Sequence, residues 1–231
     1  MKPTVLLFDI DGTLVTTGGA GRRAMALAFQ RLHQRSDACD SFKMSGMTDR
    51  AIVRKGLEVI GVTPSEPAID ALIAAYIAGL HEEIPRVLES DYRLHPGMRE
   101  AVETALGLQG FAVGLGTGNV RPGAKVKLER VKLYEQFAFG GFGCDAEDRT
   151  ALILHGARQG ALRLGQPLEA CRVVVIGDTP KDVEAARGIG AQCIGVGTGS
   201  YSAAQLRQAG AEFAFDDFSA RGALDALLEG R

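Results

Sequence analysis

The chain has 231 residues, of which 46% are hydrophobic and 23% are charged, a composition typical of a globular protein. Its net charge of −2 provides no overall field that would attract nucleic acid or an anionic membrane, so we expect neither as a partner. An anionic substrate would therefore have to be held by local donors or by a metal. Four scattered cysteines, without a CxxC pair or a histidine cluster, predict free thiols and no zinc site.

The first predicted strand is the apolar run "TVLLF" at residues 4–8. It is too short to be the core of a signal peptide, and the most apolar helical stretch, residues 68–80, is too short to span a bilayer. We therefore expect a cytoplasmic protein. Asp9 and Asp11 follow the strand directly, with Gly12 and Thr13 after them. Asx-turn formation in "DGT" accounts for Asp11 but leaves Asp9 as an unexplained acid at the end of a buried run.

Residues 18–92 depart from the pattern of the rest of the chain. The stretches "RRAMALAFQRLHQ" (22–34), "DRAIVRKGLEVIG" (49–61) and "PAIDALIAAYIAGLHEEIPRVL" (67–88) are amphipathic helical patterns with no convincing strand between them. We interpret this segment as a helical cap domain inserted into an α/β core made of residues 1–17 and 93–231. Within it, Thr48, Asp49 and Arg50 of "MSGMTDR" (44–50) offer polar contacts to a substrate, and helix capping is an equally good interpretation of Thr48.

The second half of the chain alternates apolar runs with helical patterns. The runs are "FAVGL" (111–115), "FAFGGF" (137–142), "RVVVIG" (172–177), "QCIGVG" (192–197) and "EFAF" (212–215). Near-continuous apolar strands that alternate with helices are typical of a parallel sheet buried on both faces. The predicted fold class is therefore α/β, a doubly wound, Rossmann-like parallel sheet with a small helical cap domain.

Polar residues follow three of the predicted strands, where ligands bind in open α/β sheets. Each group has a structural interpretation as well: Asn119 as a helix cap, and Thr179 with Asp182 as a capping box, which leaves Asp178 unexplained. Taken together, acids at one sheet edge suit Mg²⁺, and glycine-exposed N–H groups beside a threonine suit a phosphate. The pattern predicts a phosphoryl-transfer site. Its candidate residues are Asp9, Asp11, Thr117, Gly118, Asn119, Asp178 and Asp182.

Three stretches carry a resemblance to a known family. "FDIDGTL" (8–14), "GTGN" (116–119) and "GDTPKD" (177–182) resemble, in order and spacing, three motifs of the haloacid dehalogenase superfamily, and the chain is most similar there to phosphoglycolate phosphatase-like hydrolases. The resemblance covers essentially the whole chain. It implies a Mg²⁺-dependent phosphatase that acts on a small phosphorylated metabolite, phosphoglycolate-like or a sugar phosphate, through an aspartyl-phosphate. The alternatives are a sugar-phosphate mutase and a non-catalytic binding protein on this fold.

The resemblance also implies a role for each motif residue. Asp9 would be the nucleophile, and Asp11 the general acid and later the general base. Asp11 favours an oxygen leaving group over a halide, because a halide needs no proton. Mg²⁺ would be held by Asp9, Asp178 and the main-chain carbonyl of Asp11. Thr117, Gly118 and Asn119 would bind the phosphoryl oxygens, and Asp182 would orient metal-bound water or its loop.

The chain departs from the family pattern in its catalytic cation. Many relatives carry a lysine in a "KPxPD"-type segment, whereas "GCDAEDRTALI" (143–153) has none. Lys127 is the preferred replacement, because it precedes a leucine on the helix after "GTGN" as in some relatives. Lys125 and Arg149 remain alternatives, and an ordinary solvated helix face accounts for each of the three as well. The sequence leaves open whether the protein is a monomer or a homodimer.

Overall fold

The computed structural model of the protein describes residues 2–230. Strands alternate with helices along most of this range. The strands are β1 (Thr4–Phe8), β2 (Val15–Thr17), β3 (Tyr92–Leu94), β4 (Phe111–Gly116), β5 (Gly140–Gly141), β6 (Arg172–Gly177), β7 (Gln192–Val196) and β8 (Phe213–Phe215). The helices are α1 (Ala20–His33), α2 (Asp49–Val59), α3 (Glu66–Glu83), α4 (Met98–Leu106), α5 (Arg121–Glu129), α6 (Arg149–Arg163), α7 (Pro180–Gly188), α8 (Ala203–Ala209) and α9 (Ala223–Glu229).

The main sheet has the strand order β5-β4-β1-β6-β7-β8, and all its neighbouring strands are parallel. Its central strand β1 is buried at every position because both faces of the sheet are covered. Leu6 and Phe8 pack with residues of α4, α5 and α9 on one face. Val5 and Leu7 pack with residues of α6, α7 and α8 on the other. The predicted doubly wound α/β fold is confirmed.

Helices α1, α2 and α3 form a separate apolar cluster between β2 and β3. Alanine and glycine allow α1 and α3 to approach closely, since a Cβ on Gly79 would lie 3.1 Å from the carbonyl oxygen of Ala24. Strands β2 and β3 pair antiparallel, with Thr17 opposite Tyr92, so the chain enters and leaves this part side by side. We call residues 18–92 the cap segment and propose it as a domain distinct from the α/β core.

Two predicted elements depart most from their sequence patterns, and both are shorter. The run at 137–142 contributes only Gly140–Gly141 to the sheet, because β5 is an edge strand paired with β4 alone and a 3₁₀ turn precedes it at Tyr134–Gln136. The third cap helix ends at Glu83 and continues as a 3₁₀ turn, since Pro85 lacks the N–H that an α-helix needs. The four cysteines are free, as predicted. Within residues 2–230, no helix combines the length and apolarity that crossing a bilayer requires.

Helix α6 crosses β5 at a contact made possible by two glycines. A Cβ on Gly141 would overlap the carbonyl oxygen of Leu152, and one on Gly156 would lie 2.8 Å from the Gly141 nitrogen. The backbones of strand and helix therefore touch directly. This contact sets the position of the whole helix, whose first residue is Arg149.

We expect Gly141→Ala to destabilise the protein by about 1–3 kcal/mol or more, because the new methyl group would force α6 away from the sheet. Urea unfolding measures the change in the free energy of unfolding. The control is Gly107→Ala, at the end of α4, where φ is −75° and the nearest neighbouring atom to a new Cβ lies at 3.5 Å. Equal effects of the two substitutions would contradict the close-crossing argument.

Candidate active site

The carboxyl ends of β4, β1 and β6 meet at one edge of the sheet. Phe8 lies opposite both Leu115 and Ile176, so the residues that follow these strands lie at the same level. The Asp9 amide donates to the carbonyl oxygen of Ile176 at 2.9 Å, which continues the pairing by one residue. The three strand ends therefore bring together Asp9, Thr117 and Asp178, all of which are buried.

Three carboxylates at this edge are close enough to share a metal ion. One oxygen each from Asp9, Asp178 and Asp182 lies within 4.8 Å of the others. Burial, followed by the charges of Asp182 and Asp9, raises the pKa of Asp178 to about 8. Burial also raises the pKa of Asp9 to about 6, although Arg149 opposes the shift. The residues present thus fit a hard divalent cation, which takes oxygen ligands and would offset this concentration of negative charge.

Asp178 has no room to move away from this cluster. A Cβ on either Gly12 or Gly199 would overlap its carboxylate, so both neighbouring backbones approach it closely. The Thr13 hydroxyl donates to Asp178 Oδ1 at 3.3 Å. The carboxylate is therefore held in place by the loop that contains "DGT".

Asp182 is held by donors on both of its oxygens. Its Oδ2 accepts from the Thr179 amide at 3.0 Å and the Thr179 hydroxyl at 2.7 Å, which confirms the predicted capping box at the start of α7. Its Oδ1 accepts from Arg149 Nε at 3.0 Å. The side chain therefore holds the loop and Arg149, and its predicted role towards metal-bound water stays a prediction.

Arg149 lies between two carboxylates. Its Nη2 is 2.9 Å from Asp9 Oδ2 and also bonds to Asp182, and its side chain is only 9% exposed. As the first residue of α6, it projects from the helix that crosses β5. Arg149 is therefore the cation in direct contact with Asp9, although the sequence indicated Lys127 first.

Lys127 pairs with Asp11, the second acid that follows β1. Its Nζ lies 2.6 Å from Asp11 Oδ2 and 2.6 Å from Asn119 Oδ1, and its side chain is 3% exposed. Burial lowers the pKa of Lys127, but Asp11, Tyr76 and Asp49 raise it by more, so the ammonium form is retained. The solvated-face interpretation does not apply to this residue. It does apply to Lys125, whose half-exposed side chain pairs with Glu129 within α5.

Asn119 links Asp11 to Thr117 and does not cap a helix. Its Nδ2 donates to Asp11 Oδ2 and to Thr117 Oγ1, each at 2.9 Å, and the N-cap of α5 is Val120. Thr117 is fully buried and also hydrogen-bonds to Asp9. The polar side chains of "GTGN" are thus engaged with both carboxylates that follow β1.

Thr48 has a structural role in the contact between the cap segment and the core. Its side chain accepts from the Ala51 amide at 3.2 Å as the N-cap of α2, and its hydroxyl donates to the carbonyl oxygen of Glu147 at 3.2 Å. Both contacts favour the helix-capping interpretation over substrate contact. The loop that contains Thr48 leaves no space for a side chain at Gly118, where a Cβ would lie 2.9 Å from the Thr48 Cα.

Asp49, one of the three polar residues that the sequence offered as substrate contacts in the cap loop, lines the cavity. Its amide donates to the Gly118 carbonyl at 2.8 Å, and its Oδ2 accepts from the Val120 amide at 2.8 Å. Burial raises the pKa of this carboxyl to about 6, against the effect of Lys127. An acid in the first turn of a helix is a common position on dipole grounds, so the sequence carried no signal to distinguish it.

A cavity of about 190 Å³ lies between the core and the cap segment. The lining on the core side includes two cations, two acids, a glycine and an amide. They are Lys127, Arg149, Asp9, Asp11, Gly118 and Asn119. The cap side contributes residues of α1, of the loop before α2, and of α2 and α3. These cap residues are Gly19, Gly21, Arg22, Met25, Met44, Ser45, Gly46, Met47, Asp49, Ile52 and Tyr76.

The chain is similar to several known proteins over nearly its whole length. The family model described as haloacid dehalogenase-like hydrolase matches residues 6–187. The curated protein named "Probable phosphatase IndB" of Dickeya dadantii (strain 3937) is 26% identical over 230 residues, covering 99% of this chain and 96% of that protein. A hydrolase from Pseudomonas syringae has a similar structure, with a TM-score of 0.68, 23% identity and coverage of 98% and 97% of the two chains. CbbY from Rhodobacter sphaeroides, solved in complex with phosphate, gives a TM-score of 0.66 at 20% identity, covering 97% of this chain and 100% of that one.

A divalent cation is expected to stabilise the protein against heat, by a margin that grows with pH. With pKa values of about 6 and about 8, Asp9 and Asp178 must lose protons before they bind the cation, and they have lost them at high pH. Without metal, the stability of the protein itself is expected to decrease with pH. The folded chain holds more protons than the unfolded chain, whose aspartates titrate near pKa ~3.9, so stability falls as the pH rises towards 8.

The measurement is Tm with MgCl₂ and with EDTA, at about pH 5.5 and at about pH 8.5. Asp178→Asn should remove most of the metal-dependent increase, whereas the control Asp225→Asn, at an exposed acid of α9, should retain it. A metal-dependent increase of the same size at both pH values would contradict the assignment of these carboxyls as ligands.

Proposed function

The chain belongs to the haloacid dehalogenase-like hydrolase family, and we propose that it is a Mg²⁺-dependent phosphatase that hydrolyses a small phosphorylated metabolite through an aspartyl-phosphate. The observation that carries the proposal is Asp9, a buried carboxylate at the end of the central strand, paired with Arg149 and facing the cavity. The curated relative named as a phosphatase, and the phosphate bound to the similarly folded CbbY, support a phosphate ester as substrate.

In the first step Asp9 attacks the phosphorus atom of the ester. A bond forms between an Asp9 carboxylate oxygen and phosphorus, and the bond from phosphorus to the ester oxygen breaks. The leaving oxygen takes a proton from Asp11, so that an alcohol departs. Lys127 and Asn119 both donate to Oδ2 of Asp11, which leaves Oδ1 as the atom that carries the proton.

In the second step Asp11 works in the opposite direction. It accepts a proton from water as the water oxygen bonds to phosphorus, and the bond to Asp9 breaks to release inorganic phosphate. Asp9 and Asp178, with the main-chain carbonyl of Asp11, would hold Mg²⁺, which when bound supplies positive charge against the transferring phosphoryl group. Gly118 and Asn119 line the cavity and would orient the phosphoryl oxygens.

The two buried cations have different tasks in this mechanism. Arg149 orients the nucleophile through Asp9 Oδ2, while Lys127 orients the acid–base group through Asp11 Oδ2. The proposal therefore refines the sequence-based choice of Lys127 as the single catalytic cation. The cap segment closes over both and reduces the access of water to the phosphoryl group.

Asp9→Asn is expected to lower kcat for p-nitrophenyl phosphate by a factor on the order of 10⁴ or more, because an amide does not displace the ester oxygen. Acid quenching followed by mass spectrometry should detect no phosphorylated protein. The matched variant Asp11→Asn should behave differently. Nitrophenolate leaves without a proton, so Asp9 is still phosphorylated, and the phosphorylated form accumulates because its hydrolysis lacks a base. Substantial turnover by Asp9→Asn would exclude Asp9 as the nucleophile.

The effects of Lys127→Ala and Arg149→Ala on the rate are expected to depend differently on the leaving group of the ester. Loss of Lys127 disturbs proton transfer, so its effect should be larger for an alkyl phosphate than for p-nitrophenyl phosphate, within the range of about 10²–10⁴-fold for acid–base catalysis. Loss of Arg149 should lower both rates alike and should also reduce Tm, because Asp9 and Asp182 would remain buried without a cationic partner. Lys125→Ala is the control. Full activity of Lys127→Ala on both esters would show that this assignment is wrong.

A further inference from the structure

The cap side of the cavity differs in chemistry from the core side. On the core side lie the carboxylates, cations and amide already described. On the cap side, most of the large side chains are apolar or polarisable, namely Met25, Met44, Met47, Ile52 and Tyr76. Since the phosphoryl group must contact Asp9, the alcohol part of the ester extends towards this wall.

The charges within the cavity are already partnered on the core side. Arg149 is bound to Asp9 and Asp182, and Lys127 is bound to Asp11 and Asn119. The positive charge of each cation is therefore already compensated by at least one buried carboxylate. A negatively charged substituent on the alcohol would meet no uncompensated positive charge on the core side.

The cap side adds a buried negative charge and only a peripheral positive one. Asp49 is 6% exposed and faces the cavity beside Lys127. Arg22 is the cation that the cap segment contributes to the lining, and its side chain is 52% exposed and pairs with Asp40 at 3.3 Å. Exposed pairs of this kind contribute little energy, so Arg22 would neutralise a buried anion poorly.

We propose that this site selects phosphate monoesters whose alcohol is uncharged and partly apolar, and that it discriminates against alcohols that carry a carboxylate. The inference rests on the proposed phosphatase function and concerns the substrate class of the same site. Within the resemblance to phosphoglycolate phosphatase-like proteins, it argues against phosphoglycolate itself as the preferred substrate.

Two physical effects act in the same direction. A carboxylate on the alcohol would lose its hydration without gaining a partner, and it would approach Asp49, so both desolvation and like-charge repulsion oppose binding. Methionine side chains, in contrast, adapt their shape to an apolar group and make favourable contacts with aromatic rings. A hydroxyl or amide N–H on the alcohol could donate to Asp49, whose Oδ1 remains after Oδ2 has accepted the Val120 amide.

The cavity also limits the size of the alcohol. Its volume of about 190 Å³ is below the range of ~300–1,000 Å³ that is usual for ligand pockets. The phosphoryl group occupies part of this volume. The remaining space suits an alcohol of about the size of one ring.

The test compares three alkyl phosphates with Mg²⁺ present: 2-phosphoglycolate, its neutral primary amide, and benzyl phosphate. We expect kcat/KM to rise in that order, with the amide exceeding the acid by at least about tenfold. The acid and the amide have nearly the same size, so their ratio reports charge. A phosphoglycolate value equal to or above that of the amide would overturn the proposal while leaving the phosphatase function intact. Failure to hydrolyse any of the three esters or p-nitrophenyl phosphate would instead reject the phosphatase function, and the proposed selectivity with it.

A pair of variants tests the role assigned to Asp49. Asp49→Asn keeps an oxygen that can accept from the Val120 amide but removes the charge, so the ratio of amide to acid should fall severalfold, through both KM and kcat for the acid. Asp70→Asn alters an exposed carboxylate of α3 that pairs with Arg50, and it should leave the ratio unchanged. An unchanged ratio in Asp49→Asn, with Tm close to that of the wild type, would show that Asp49 does not determine the selectivity.

Discussion

The ion pair of Arg149 with Asp9 and Asp182 is the interaction on which the rest of the site depends. It joins the end of β1, the start of α6 and the start of α7 through side chains that are 9% exposed or less. Removing one partner from such a buried group typically costs about 3–5 kcal/mol, because the remaining charge is left without compensation. The backbone keeps the guanidinium in place from both sides. Helix α6 rests on β5 through Gly141, and Asp182 is fixed by its bonds to Thr179.

Two cations give the neighbouring acids Asp9 and Asp11 different surroundings. Asp9 and Asp11 are two residues apart, yet their cationic partners come from different helices, α6 and α5. The side chain of Asp9 is 8% exposed, whereas that of Asp11 is 44% exposed, and both line the cavity. Different environments of this kind are how enzymes assign a nucleophile and a proton carrier to similar groups. Asn119 bonds to Asp11 and to Thr117, which contacts Asp9, so the two arrangements are linked by neutral side chains that add no charge.

The sequence predicted the parts of this site that depend on short-range patterns. The run "TVLLF" coincides with β1, and Asp9 and Asp178 follow buried strands as predicted. These features could be predicted because an apolar run and its end are visible in a short stretch of sequence. The capping box at Thr179 was predicted for the same reason. The choice of cation was not decided, because Lys125 and Lys127 differ by two helical positions and only the packing of α5 shows that one is exposed and the other buried. Asp49 was named only as one of three polar residues in the cap loop, because its role arises from the docking of α2 on the loop at 118–120, a contact between distant parts of the chain.

Asp49 also connects closure of the cap segment with the choice of substrate. Its two hydrogen bonds, to the Gly118 carbonyl and from the Val120 amide, hold the loop before α2 against the strand end that carries Thr117. The same carboxylate supplies the negative charge of the cap wall. An alcohol that repels Asp49 therefore weakens the contact that closes the cavity, whereas a neutral alcohol allows closure. Since closure keeps bulk water away from the phosphoryl group and completes the arrangement around Asp9, an unsuitable alcohol is penalised twice, once in binding and again in the chemical step. One buried acid can thus turn a modest difference in affinity into a larger difference in kcat/KM.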